Sequence, residues 1–131
     1  MSAASQRLST SEIEAIAAKD DFKIAPFYAD GETTGTLTWI WSVSVDGRLF
    51  VRAYSGTSGR WYKSAMANKA GRITGAGLEK KVRFEAITDE ALNSKIDDAY
   101  RAKYSSSSYL GSMISARAKS ATVEVKSFDD N

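Results

Sequence analysis

Residues 36–45, TLTWIWSVSV, run into Asp46-Gly47 and then into residues 48–54, RLFVRAY, and this is the strongest local signal in the chain. Both runs alternate in the way a pleated strand requires, since successive side chains point to opposite faces. An Asp-Gly pair between two alternating runs is the signature of a two-residue type I′ hairpin. A two-residue loop sets the register: Val45 faces Arg48, Val43 faces Phe50, Trp41 faces Arg52 and Trp39 faces Tyr54 on one side. Ser44 with Leu49, Ser42 with Val51 and Ile40 with Ala53 fall on the other. Apolar groups on both faces suit a strand pair within a closed barrel. The same register puts Arg52 beside Trp41 as a cation–π pair.

The flanking sequence extends this pattern. Upstream, Ser9 and Glu12 have capping-box spacing, Leu8 and Ile13 sit at staple positions, and Ile13, Ile16 and Ala17 form an apolar stripe that predicts a helix. Residues 22–28 read as a strand, with Pro26 placing it at an edge. Downstream, residues 55–59 (SGTSG) form a turn leading into a helix over 60–68. Strands over 71–75 and 81–87 follow, separated by a turn at 76–80. A helix over 89–104 repeats Leu92, Ile96, Ala99, Tyr100 and Tyr104 at helical spacing. A helical turn near 109–116 then leads to a last strand over 122–128. The expectation is an α+β domain: a small, mostly antiparallel six-stranded split β-barrel with about three flanking helices.

The 131 residues fit one domain, 1–131, with residues 1–8 as a flexible N-terminus. Cysteine and histidine are both absent, which removes thiolate nucleophiles, Ser-His-Asp and Cys-His schemes and the commonest metal ligands, so no metal is expected. No apolar export segment and no membrane-length apolar run appear, so the expected address is the cytoplasm. The expectation is that chemistry, if present, is borrowed from a cofactor.

The net charge of +2 conceals a marked segregation. Residues 1–45 carry −3, residues 46–83 carry +7 from nine basic and two acidic side chains, and residues 84–131 carry −2. Within the positive block, Arg52 ends a strand, Ser55, Thr57 and Ser58 supply hydroxyls, and Arg60 and Lys63 begin a helix that also carries Trp61. Strand end, Gly/Ser turn and helix N-terminus together form a candidate phosphate cradle. The competing reading makes these groups solvated faces of strands and helix. Trp39 and Trp41 either line a flat-ring pocket or pack in the core. Asp97-Asp98 read as a solvated helix face, because adjacent helical residues diverge.

The run from Trp41 to Arg52, Gly59-Arg60-Trp61-Tyr62, Val82-Arg83-Phe84-Glu85, the segment from Ile96 to Tyr104, and Ser115-Ala116-Arg117 together resemble a family of small bacterial and fungal proteins known only as a domain of unknown function. One departure lies in the last strand, where Thr122-Val-Glu124-Val stands in place of a frequent Thr-x-Arg-Leu. That family is in turn similar to the flavin-binding split-barrel superfamily, with its pyridoxamine-phosphate-oxidase-like and deazaflavin-dependent members. The resemblance implies a cofactor phosphate held by a strand, a turn and a Trp-bearing helix, and a homodimer sharing each site. It maps cofactor binding onto Arg52, Ser55, Ser58, Arg60, Trp61, Lys63 and Trp41. The implied cofactor is FMN or a deazaflavin, and the implied activity that of an oxidoreductase. The alternative is a non-catalytic dimeric protein that binds a phosphate-bearing or acidic small molecule, or one with no cofactor at all. Tyr100, Tyr109 and Met113 are the candidates for the dimer contact. Nucleic acid and membrane are not expected partners.

Overall fold

A computed structural model of the chain describes residues 8–128 apart from 29, 31 and 55. The hairpin forms as its sequence requires. Strand β3 (Ser42–Val45) pairs with β4 (Arg48–Arg52), and Val45, Ser44, Val43 and Ser42 face Arg48, Leu49, Phe50 and Val51 in turn. The connection is a two-residue turn with φ of 54° at Asp46 and 75° at Gly47, the left-handed pair that a type I′ turn needs.

The pairing stops at Ser42. Trp41 and Ile40 leave the hairpin, and Ile40 N–H donates instead to the Phe22 carbonyl (3.1 Å). Thr38–Trp39 then form a separate strand, β2, which pairs with β1 (Lys23–Pro26). The single strand expected over residues 36–45 is therefore two, and the sheet has seven strands where six were expected. Its order is β2-β1-β5-β6-β7-β4-β3, antiparallel throughout, with β5 at Ala70–Gly75, β6 at Leu78–Ala86 and β7 at Thr122–Ser127. Its two outermost strands, β2 and β3, are separated in the chain by Ile40 and Trp41 alone. Two intervening residues span only about 10 Å, so the sheet curls into a half-barrel whose edges approach each other at a seam.

Other boundaries shift for local reasons. β1 is not an edge strand, because it lies between β2 and β5. β2 reaches only Lys23 and Ile24, so Pro26, with no N–H to offer, lies beyond its end. The turn expected over 76–80 contracts to Ala76-Gly77, both left-handed, with Gly75 facing Leu78.

The helices cover what the sheet exposes. Helix α1 (Thr10–Ala17) starts from Ser9, whose capping box with Glu12 is complete. Leu8 is buried and donates to Ser127 Oγ (2.8 Å), so it belongs to the folded body; residues 1–7 of the expected flexible N-terminus lie outside the described residues. Inside the half-barrel, Ile13 and Ile16 of α1 and Ala65 of α2 (Arg60–Asn68) pack with Ile24, Leu49, Val51, Ile73, Val82 and Val125. On the opposite face of the hairpin, Val43 and Phe50 pack under Ile96 and Tyr100 of α3 (Glu90–Lys103), with Trp41 and Met113. The hairpin is thus apolar on both faces because a core lies on each. Two short helices follow, α4 (Leu110–Met113) and α5 (Ala116–Lys119), where one helical turn was expected. Ser115 divides them, because its hydroxyl caps α5 at the Ala118 N–H. Among the described residues no helix is long and apolar enough to cross a membrane.

Candidate functional site

The break at Ile40-Trp41 opens a cleft of about 1330 Å³ along the seam. β1 and β2 contribute Ala25, Pro26 and Trp39 to its lining. The end of β4 and the start of α2 contribute Ala53, Gly59, Arg60 and Trp61, and the end of α3 contributes Lys103 and Tyr104. Aromatic side chains dominate. All three tryptophans of the chain (Trp39, Trp41, Trp61) and four of its six tyrosines (Tyr28, Tyr54, Tyr104, Tyr109) line this one cleft. Among the described residues, five large apolar side chains are exposed. Four of them, Tyr28, Trp39, Tyr54 and Tyr109, are on the cleft rim, and Leu37 lies between lining residues Thr36 and Thr38. Such concentration makes this cleft the candidate site, since exposed apolar side chains are otherwise scattered over a protein surface.

One wall is a built hydrogen-bonded structure. The Trp41 and Tyr104 rings stack with centroids 3.9 Å apart and planes 5° from parallel. Tyr104 Oη donates to Asp20 Oδ1 (3.0 Å) and accepts from the Ser42 N–H (3.4 Å), while Trp39 Nε1–H donates to the Asp20 carbonyl (2.8 Å). Burial, followed by the Asp20 carboxylate, pushes the Tyr104 phenol well above its ordinary value, so it stays a neutral donor. Lys103 Nζ donates to the Ser42 carbonyl (2.7 Å) and lies 5.1 Å from the Tyr104 ring centre. Burial lowers its pKa, with Asp20 and Asp21 acting in the opposite direction.

The seven residues expected at a phosphate and ring site fare differently. Arg60, Trp61 and Trp41 line the cleft together. Lys63 and Ser58 are exposed beside it and are not lining residues, and Ser55 lies outside the described residues. Arg52 borders the cleft, but its guanidinium is wholly buried and committed. Nε donates to Thr122 Oγ1 (2.9 Å), Nη1 to Asp97 Oδ1 (2.5 Å) and the Met113 carbonyl (3.2 Å), and Nη2 to the Asn93 carbonyl (3.2 Å) and Oδ1 (3.0 Å). An arginine has five N–H groups, so none remains for a ligand. Nor does Arg52 meet Trp41 as the extended hairpin register predicts. Its guanidinium lies over Tyr100 instead, 5.4 Å from the ring centre, because Trp41 has left the pairing.

Asp97 corrects a second expectation. It is buried and holds both Arg52 and Lys119 (2.9 Å), and only its neighbour Asp98 lies on the solvated face. Burial raises its pKa, but the hydrogen bonds from Lys119 and Arg52 outweigh that and hold the carboxyl below its ordinary value. Tyr100 and Met113, expected at a dimer contact, are core residues; Tyr109 is exposed.

The positive block is neutralised in part, chiefly by acids brought in through the fold. Arg48 pairs with Glu124, Arg52 with Asp97, Arg72 with Glu79 and Lys80 with Glu12. The acid at position 124, where the resembled family often has arginine, is thereby the partner of Arg48. Among the described residues, Arg60, Lys19 and Lys103 have no carboxylate within ion-pair distance, and all three line the cleft, whose one acid is Asp20. The cleft is therefore net cationic. It opens beside the N-terminus of α2, where Gly59 provides no side-chain cap for the first-turn N–H groups. Asp20, Lys103 and Tyr104 were not singled out as site residues by sequence, because only the tertiary stack on Trp41 brings them there.

Comparison with known proteins adds one match. The model of a family described as an uncharacterized protein conserved in bacteria, DUF2255, matches residues 12–125, and the chain belongs to that family. No curated protein matches it.

Proposed function

We propose that this member of the DUF2255 family binds a flat, phosphorylated cofactor of the flavin type, FMN or a deazaflavin, in the seam cleft, and that it is an oxidoreductase. The observation that carries the reading is the gathering of all three tryptophans and four tyrosines around one cleft with unpaired cations. The resemblance to split-barrel flavoproteins supports it, as does the curling of the sheet. The residues fit such a group in kind: aromatic faces for a planar ring, and Arg60 with the uncapped start of α2 for a phosphate. When bound, the cofactor supplies hydride or electron transfer, which a chain without histidine or cysteine leaves to it. Trp61 and the Trp41–Tyr104 stack bind and orient the ring, Arg60 fixes the anionic end, and Arg52 holds the wall behind them. The reading keeps the cytoplasmic address.

A second reading rests on the rim. Tyr28, Trp39, Tyr54 and Tyr109 are each about half exposed, which favours a second copy covering the cleft, either as a shared cofactor site or as a non-catalytic dimer that binds an acidic small molecule. Titration with FMN tests the first reading through tryptophan emission. Saturable quenching is expected, with about tenfold weaker binding in Arg60→Gln, as the loss of one charged hydrogen bond predicts. Emission unchanged at high FMN refutes the cofactor reading. A monomeric mass by light scattering refutes the dimer.

A further inference from the structure

Lys103 is the one cation of the cleft wall that is half-buried and still available. It sits in the last turn of α3, and its partners are a carbonyl and an aromatic ring; among the described residues no carboxylate lies within ion-pair distance, and Asp20 and Asp21 act on it only from farther away. A lysine ammonium has three donors, and the Ser42 carbonyl takes one. A cation withdrawn from water with carboxylates only at a distance is costly unless something else meets its charge more closely. Elsewhere in the fold acids do so, as Asp97 does for Arg52 and Lys119. Lys103 also stands directly beside the Trp41–Tyr104 stack that forms this wall of the cleft.

We propose that Lys103 binds the electron-rich edge of the ring, so that the ligand class is a planar heterocycle with a carbonyl or ionisable imide edge in addition to a phosphate. This rests on the reading of the cleft as a site for a phosphorylated flat ring and adds a second point of recognition to it. Arg60 reads the phosphate; Lys103 reads the ring. A simple aryl phosphate satisfies the first and leaves the second unmet.

Three probes separate the two contacts: FMN, riboflavin, which lacks the phosphate, and phenyl phosphate, which lacks the ring edge. Each is titrated into wild-type protein, Lys103→Met, Lys103→Arg and Arg60→Gln, with circular dichroism and thermal unfolding confirming that every variant folds. Lys103→Met is expected to weaken FMN and riboflavin alike, by about tenfold for one charge-assisted hydrogen bond, and to leave phenyl phosphate unchanged. Lys103→Arg retains most of the affinity, and Arg60→Gln weakens FMN but not riboflavin. An independent readout is the pH at which bound riboflavin loses its ring proton, followed by absorbance. A cation at the ring edge makes that pH lower in the wild-type protein than in Lys103→Met, the opposing Asp20 carboxylate being common to both. Riboflavin binding unaffected by Lys103→Met, a ring titration at the same pH in both proteins, or phenyl phosphate bound as tightly as FMN overturns the assignment of Lys103 alone. Failure of the wild-type protein to bind any of the three overturns this inference together with the reading of the cleft beneath it.

Discussion

Replacing Arg52 with methionine tests whether this residue is architecture or a ligand contact. The substitution keeps much of the side-chain volume and removes five hydrogen bonds that tie β4 to β7 at Thr122, to α3 at Asn93 and Asp97, and to the end of α4 at Met113. It leaves Asp97 buried with Lys119 as its remaining partner. Breaking a buried ion pair from one side costs about 3–5 kcal/mol, a large part of the roughly 5–15 kcal/mol that holds a domain folded. For a chain of this size that corresponds to a melting temperature lower by about 10–20 °C. Urea unfolding followed by tryptophan emission measures the free energy. Arg52→Met combined with Asp97→Met removes the stranded charge, so the double variant should be more stable than the sum of the two single losses predicts, by about 1–3 kcal/mol. A loss below about 1 kcal/mol in Arg52→Met, or lost ligand binding at unchanged stability, would refute the architectural role.

Three further outcomes follow from the same contacts. Because the Asp97 pKa is lowered on folding, its contribution is fully present above the unfolded carboxylate pKa of about 3.9 and is lost as the pH falls through the folded value; Asp97→Asn should therefore flatten the acid limb of the stability curve below about pH 4. Gly47→Ala forces a side chain into the left-handed turn, where φ is 75°, and should cost about 1–2 kcal/mol in chemical denaturation. Ser42 is fully buried and its Oγ has no partner among the described residues, so Ser42→Ala should be neutral or stabilising by up to about 1 kcal/mol, and a loss of that size would mean that the hydroxyl is bonded.

What could be read from the sequence was local. The Asp46-Gly47 turn and the alternation around it carried the hairpin register, and Ser9 with Glu12 carried the start of α1, because each signal lies within a few residues of its effect. The break at Ile40-Trp41 could not be read in that way. The period-two series Trp39, Trp41, Val43, Val45 runs straight through it, and the competing carbonyl of Phe22, from another part of the chain, takes the Ile40 N–H. The same limit governs the site. The charge block drew attention to Arg52, Arg60, Trp61 and Lys63 alike, but the acids that neutralise part of it come from α1, α3 and β7. Arg60 and Trp61 line the cleft, whereas Arg52 is sealed by Asp97, a residue whose burial depends on the docking of α3.

The three tryptophan indoles provide the most direct test, because all of them line the cleft. In a proton–nitrogen correlation spectrum, adding FMN should move all three indole Nε1–H signals saturably with a single dissociation constant. The backbone signals of Lys81, Arg83 and Glu85 on the exposed face of β6 should stay in place. Indole signals that do not move, or shifts scattered over the exposed lysines outside the cleft, would contradict a phosphorylated flat ring in the seam.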